Sequence, residues 1–314
     1  MDIQKGVLRN QIPLFDFKKA FPFQCSSDNL ITVVDHQRPA NSMHSILHFE
    51  ITSFKGYRLK TETRSSKFLV LLFILFICPS PTLAFSEHDV AQYQSLLKDR
   101  PINERIALWA EKFVGTPYDR DPLGEYVTKK VIVTDERVDC MYLVFRSVEL
   151  AVSKSPEGAI EAALDMRFRM KGILENGRVE NYGERFEYGE DMIDSGKWGR
   201  EITSEVGTTR EIEGSRGKAR VAILPSRELR RRISRLKSGD LLFFIKDPRK
   251  RISGEIVGHM GIVKVEAQPG KMPGKIVCLI HASGTKKRGG VVKKVILADY
   301  IKKMPYLGVQ ITRF

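Results

Sequence analysis

Three side chains have the types and setting for nucleophilic chemistry: Cys140, His259 and His281. Cys140 opens the segment CMYLVFRSVELAVSK, in which Leu143, Val144, Val148 and Ala151 recur at helical spacing. Asp139, just before it, is a residue type that caps helix N-termini. A cysteine in the first turn of a helix sits at the positive end of the helix dipole, where thiolate is favoured over thiol. A thiolate attacks amide carbonyls. Backbone N–H groups at the same helix end can hold the oxyanion that forms. By type alone, a free cysteine is equally a small core residue.

The chain has six histidines, and His36, His44, His48 and His88 lie in or beside its first segment. His259 and His281 lie further on, each at the end of an apolar run, and are symmetric about residue 270. The loop EAQPGKMPG, residues 266–274, has the same centre. A simple hairpin therefore predicts that the two histidines face each other, about 4.5–5.5 Å apart at Cβ. A slip of one residue would place them on opposite faces. One cysteine and two facing histidines fit three arrangements. The first is a triad of nucleophile, base and a polar residue that orients the base. The second is a Cys-His-His zinc site, although catalytic zinc sites often include a carboxylate and show closer ligand spacing. The third is a pair of structural histidines at a sheet edge. Spacing alone leaves all three open.

The elements that must position these residues run helices first and strands second. Apolar periodicity predicts a helix over 88–114, ended by Gly115-Thr116-Pro117, then a loop over 117–138 and the Cys140 helix. Residues 155–225 are polar and rich in turn signals, and read as an irregular insertion with a few short helices. The run SRELRRRISRLK, residues 226–237, predicts a short basic helix with Leu229, Ile233 and Leu236 on one face. About five strands follow, at 241–245, 256–265, 275–280, 291–297 and 309–314. This order predicts an α+β domain with a mainly antiparallel sheet.

The formal net charge is +14, which favours anionic partners without choosing among nucleic acid, acidic membranes and cell-envelope polymers. No nucleic-acid motif or interleaved aromatic accompanies the basic run, so it reads as a solvated face and no nucleic-acid partner is expected. Of the four cysteines, Cys25, Cys78, Cys140 and Cys278, none forms a C-x-x-C pair. Phe68–Ile77 reads FLVLLFILFI after Lys55, Arg58, Lys60, Arg64 and Lys67, and before Pro79, Pro81 and Thr82-Leu83-Ala84. This is the pattern of a secretory signal peptide, assigned to 61–84. The apolar run is too short for a membrane span. Cleavage after Ala84 leaves a mature chain with no integral span and only Cys140 and Cys278. Residues 1–60 read as a leader without regular period, with translation expected to start later, near Met43. Residues 85–314 are expected to form a single domain that carries Cys140, His259 and His281.

Five stretches carry a resemblance to a known family. Phe113-Val114-Gly115-Thr116-Pro117-Tyr118, Asp139-Cys140, LKSGDLLFF (236–244), GHMGIV (258–263) and IHAS (280–283) follow the order seen in NlpC-type cell-wall cysteine hydrolases, which are papain-like in fold. More narrowly, residues 105–314 resemble the N-acetylmuramoyl-L-alanine amidase-like family within that group, with its larger insertion after the cysteine helix. Gly308 and Arg313 match that family's last strand, and Arg167-Phe168-Arg169, Tyr182, Arg185 and Tyr188 resemble motifs of its insertion. Met141–Val144, Glu187 and Met192 depart from it, Glu187 standing where the family has a histidine and Met192 where it has a tryptophan. The resemblance implies Cys140 as nucleophile, His259 as base and His281 as the third polar residue. It implies Tyr118, Arg167, Arg169, Arg185 and Tyr188 at the substrate, and no metal or cofactor. The expected substrate is peptidoglycan or a muropeptide, cut at the N-acetylmuramoyl-L-alanine amide, in the periplasm or cell envelope. The alternatives are an endopeptidase cutting the D-glutamyl bond of the stem peptide and a non-catalytic envelope-binding protein.

Overall fold

The computed structural model describes residues 85–267 and 274–314, together with the backbone of two short strands nearer the N-terminus. The chain divides into two units, Met1–Pro79 and Ser80–Phe314. In the first, β1 (His48–Thr52) pairs antiparallel with β2 (Arg58–Glu62), Ile51 opposite Leu59. The reading of residues 1–60 as lacking a strand period misses this hairpin, because five residues hold too few alternations to stand out. The rest of the leader and the apolar run Phe68–Ile77 lie outside the described residues. No helix among the described residues is long and apolar enough to cross a membrane.

The second unit opens with α1 (Glu87–Leu97) and α2 (Ile102–Lys112) where the periodicity predicts one helix. Pro101 explains the break: it has no N–H to donate and disfavours helical backbone at Arg100. Ser86 closes the start of α1 with a capping box. Its hydroxyl accepts from Asp89 N (3.1 Å), and the Asp89 carboxylate accepts from Ser86 N (3.3 Å). After the short α3 (Glu125–Thr128) comes the cysteine helix, α4 (Cys140–Val152). Every residue from Tyr142 to Ala151 is buried. A helix enclosed on all sides must satisfy its polar members internally. Ser147 does so by donating to Leu143 O at 2.7 Å, and Arg146 and Glu149 do so in ion pairs.

The insertion is more regular than its sequence suggests. It holds α5 (Pro156–Met166), the two-residue strands β3 (Leu174–Glu175) and β4 (Arg178–Val179), α6 (Gly189–Ser195), β5 (Arg200–Glu201), α7 (Thr203–Val206), β6 (Arg210–Glu213) and β7 (Arg220–Pro225). The basic run forms α8 (Ser226–Arg231) and a single further turn at Ile233–Arg235. Then come β8 (Leu241–Ile245), β9 (Val257–Ala267), β10 (Lys275–Thr285), β11 (Gly289–Ile296), α9 (Leu297–Lys303) and β12 (Gly308–Arg313).

The main sheet runs β11-β10-β9-β8-β12-β7-β6, with β5 also beside β12, and each pairing is antiparallel. It has eight strands rather than the expected five. The five expected strands are β8 to β12, and the three others come from the insertion. Of these, β5 and β6 are short and largely exposed, so their alternation is weak, while β7 alternates exposed and buried over Arg220–Ile223. Strand β8, LLFFI, is buried at every position. Leu241, Phe243 and Ile245 join Trp109, Leu143 and Phe145 in the core under the helices. Leu242 and Phe244 point the other way, into a second core with Leu229 of α8 and Leu297 and Ile301 of α9. A strand covered on both faces reads as a continuous apolar run.

Candidate active site

Cys140 is the first residue of α4 and is half-buried and free. Asp139 caps the helix: its Oδ1 accepts from Met141 N (3.1 Å) and Tyr142 N (2.9 Å). Val138, just before the cap, is fixed by the loop that follows α2, since Val138 N donates to Pro117 O (3.0 Å) and Asp119 N donates to Val138 O (3.1 Å). The sequence predicts a thiol shifted toward thiolate. The structure gives the opposite: burial, and then the Asp139 carboxylate, push the Cys140 thiol up to about 12. The reason is local. The N–H groups that would lend the sulfur the helix-end charge are already taken by the cap, which adds a negative charge of its own. Backbone N–H groups of Met260 and of Cys140 itself, with the Lys286 ammonium, pull the other way without winning.

The Met260 contact puts Cys140 against β9 one residue from His259. His259 follows a β-bulge. Phe244 pairs with His259 and Ile245 with Val257, so Gly258 is the extra residue. Bulges re-aim the side chain beside them. A Cβ on Gly258 would come within 2.9 Å of the Tyr306 ring, whose hydroxyl donates to Gly258 O at 3.2 Å.

The two histidines meet, but not as direct partners. In the β9–β10 ladder Ile280 pairs with Ile262, a register two residues away from the symmetric hairpin. A shift of two keeps both side chains on one face and makes them diagonal neighbours, still within reach of long side chains. His259 Nε2 lies 2.9 Å from His281 Nδ1, with the rings nearly perpendicular (87°). Gly261 leaves room for this: a Cβ there would stand 3.2 Å from His281 Cβ and 2.9 Å from Ile280 O. Aromatic rings box the pair in. Phe244 and Tyr306 stack on His259 at 5.8 and 6.4 Å, and Tyr300 packs on His281 at 4.8 Å. Burial, and next to it His281, lowers His259 to about 3. Burial, with Lys293, lowers His281 to about 4. Both rings are neutral at neutral pH. One must then donate to the other, so if His259 Nε2–H donates to His281 Nδ1, His259 Nδ1 is left as a free acceptor.

Cys140 and His259 share the wall of a cleft of about 230 Å³. Arg185 and Tyr188 line it as well. Arg185 donates to Tyr182 O (2.9 Å) and pairs with Glu187 (3.0 Å), which stands in the same wall. Tyr118 lies close enough for the charges of Cys140 and Asp139 to act on its hydroxyl, although burial is the first cause of its raised value. Arg167 and Arg169 are not brought to the cleft. Arg167 is 1% exposed, its guanidinium donating to Glu149 (2.6 and 2.7 Å) and to Ile132 O (2.9 Å). Arg169 is exposed, and its backbone N–H donates to Glu184 O at 3.0 Å. Arg167 thus serves the core, a role its sequence motif does not reveal because its partner Glu149 lies 18 residues earlier.

Several site residues escape the sequence reading. Lys286, in the turn after β10, donates to Asp139 Oδ2 at 3.0 Å. It is one of three consecutive cations, with nothing local to single it out. Glu190 accepts from Ile256 N (3.0 Å) and Val257 N (3.1 Å), fixing the start of β9. Arg216 lies 3.6 Å from the centre of the Tyr188 ring. Tyr300 lies in the short helix α9 and Tyr306 just after it, and only the tertiary fold brings them to the histidines. Among the described residues no three His, Cys, Asp or Glu side chains are grouped to hold a metal ion.

Comparison with solved structures agrees with this architecture. The chain superposes on an N-acetylmuramoyl-L-alanine amidase from Bacteroides uniformis with a TM-score of 0.51 and 21% identity, over 68% of this chain and 98% of that one. It superposes on protein LPG0564 from Legionella pneumophila, of the family DUF1460, with a TM-score of 0.53 and 17% identity, over 72% and 93%. At these identities the likeness establishes a shared mixed α+β fold. No family model matches the chain, and no curated protein matches it.

Proposed function

We propose that the protein is a cysteine amidase of peptidoglycan or muropeptides, hydrolysing the N-acetylmuramoyl-L-alanine bond, with Cys140 as nucleophile and His259 as base. One observation carries the reading. Cys140 opens a capped, buried helix on the wall of a cleft that also holds His259, whose Nε2 is 2.9 Å from His281 Nδ1. The fold shared with the Bacteroides uniformis amidase supports the choice of substrate.

Because the thiol rests protonated, the proton moves during attack. His259 Nδ1 takes it as sulfur bonds to the amide carbonyl carbon, and His281 accepts the Nε2–H bond of the imidazolium that forms. The Cys140 N–H is the donor left at the helix end for the oxyanion, since Asp139 holds the next two. Collapse of the tetrahedral intermediate breaks the C–N bond. The stem-peptide amine leaves with the proton from His259, and a muramoyl thioester stays on Cys140. Water, deprotonated by His259, then hydrolyses the thioester and frees the sugar carboxylate. Tyr118, Arg185 and Tyr188 are the substrate contacts in this reading. Arg167 and Arg169 are not among the cleft-lining residues, Arg167 being enclosed and Arg169 exposed. The protein acts in the periplasm or envelope once the signal at 61–84 is removed.

The test is mass spectrometry of products from defined muropeptides, with Cys140→Ala beside the unaltered protein. Muramyl sugar plus intact stem peptide, lost in the variant by about 10⁴-fold or more, is the expected result. A shortened stem peptide would move the enzyme to the D-glutamyl endopeptidases. No product that depends on Cys140 would sink the catalytic reading and leave an envelope-binding protein.

A further inference from the structure

Lys286 lies in the turn between β10 and β11, five residues after His281. Its ammonium donates to Asp139 Oδ2 at 3.0 Å, stands 3.9 Å from the Asp119 carboxylate and 5.8 Å from the centre of the Tyr118 ring. Asp139 meanwhile caps α4 through its other oxygen. One carboxylate therefore joins the start of the cysteine helix to the hairpin that carries His281. The lysine is about one-third exposed and the aspartate 15% exposed. A pair of that kind adds little to stability, so its position matters more than its strength. Asp139 is bonded directly to Cys140, and an uncompensated carboxylate there opposes a thiolate. The groups acting on the sulfur are Asp139, Lys286 and the hydroxyls of Tyr118, Tyr300 and Tyr306, and the cleft wall around it also carries His259, Arg185, Glu187 and Glu255. With both histidines neutral and Arg185 paired with Glu187, Lys286 is the cation paired with the carboxylate next to the sulfur.

We propose that Lys286 is a positioning residue for Cys140: it ties the Asp139 cap to the His281 hairpin and offsets the cap's charge where the thiolate must form. This rests on Cys140 as the nucleophile, but its test needs no substrate. In the full-length protein, the rate of Cys140 alkylation by iodoacetamide is followed by peptide mass spectrometry between pH 7 and 10. In this range thiol dominates, so a change in acidity appears as a constant factor. Lys286→Met should slow alkylation about three- to fourfold for each pKa unit gained, because the smaller thiolate fraction outweighs the greater nucleophilicity of each thiolate. Lys286→Arg, which keeps the charge, should stay within about twofold of the unaltered protein. Asp139→Asn, which keeps a capping side chain, should speed alkylation. The opposite signs matter: loosening of the site would speed both Lys286→Met and Asp139→Asn by exposing the thiol. Equal or faster alkylation of Lys286→Met, with unchanged near-UV circular dichroism, would overturn the proposal. Muropeptide turnover is read separately, so a protein that shows the alkylation pattern without turnover keeps this inference while losing the amidase reading.

Discussion

The two ends of the cysteine helix carry charges of opposite fate. At the middle and C-terminal end, Arg146 pairs with Asp135 (2.8 Å), and Arg167 pairs with Glu149 (2.6 Å), with all four side chains no more than 4% exposed. Arg167 also lies over the rings of Tyr142 and Phe145, at 4.9 and 5.2 Å. Each carboxylate here faces a guanidinium. At the N-terminal end, Asp139 shares one lysine with Asp119, and Cys140 and His259 are held neutral on the cleft wall, with the buried, neutral His281 beside His259. Charges closed on all sides fix where the helix lies. Groups left neutral and incompletely enclosed can still exchange a proton, and this is the difference between the framework and the chemistry of the site.

The largest effect should come from opening the closed end. Arg167→Met leaves Glu149 as a buried carboxylate with only the longer Arg146 contact, at 3.4 Å. Removing one partner of a buried pair costs about 3–5 kcal/mol, which for a domain of this size lowers the melting temperature by on the order of 10 °C. Thermal unfolding followed by circular dichroism measures it. Below the new midpoint, kcat for muropeptide should stay close to that of the unaltered protein. A folded Arg167→Met protein with normal stability and lost turnover would break the comparison, and would return Arg167 to the substrate role its motif suggests.

The reverse holds at the open end. His281→Gln keeps a polar side chain of similar reach but leaves the His259 tautomer less well fixed. We expect kcat to fall by about 10²-fold, within the range general-base catalysis commonly supplies, with a change in melting temperature smaller than that of Arg167→Met. Undiminished kcat would reduce His281 to a packing partner and leave His259 to act alone.

These two residues also mark what the sequence makes legible. The Cys140 helix, its Asp139 cap and strands β8 to β12 are local signals: apolar period, a capping residue type, turn residues between runs. That His259 and His281 share a face follows from parity alone, which survives the two-residue shift of register. Three things were not legible. The strands β5 and β6 are held in the sheet by their neighbours rather than by their own alternation. The fate of Arg167 depends on Glu149 one helix away, and that of Lys286 on Asp139, 147 residues earlier. The thiol's resting state turns first on its burial and then on the charge of the Asp139 cap, which residue types do not encode.

The smallest effect, and the sharpest for the open end, is the response to pH. In the proposed mechanism protonating His259 removes the base, and its value of about 3 puts this loss far below the ordinary histidine value of 6.5. The acid limb of kcat/KM should therefore fall below about pH 5, where a solvent-exposed histidine base would lose activity near 6.5. Stability moves sooner. Both histidines have folded-state values below their unfolded value of 6.5, so the unfolded chain takes up protons first as pH falls. Their contribution is complete above about pH 6.5 and is lost progressively as pH falls through 4 toward 3. The denaturation midpoint should drop between pH 6.5 and 4 while the remaining folded enzyme still turns over, and His281→Gln, with one such histidine fewer, should drop less steeply. An acid limb at pH 6.5 that moves together with the stability curve would mean that the His259–His281 pair opens to water, and that the two ends of the helix differ less than their geometry implies.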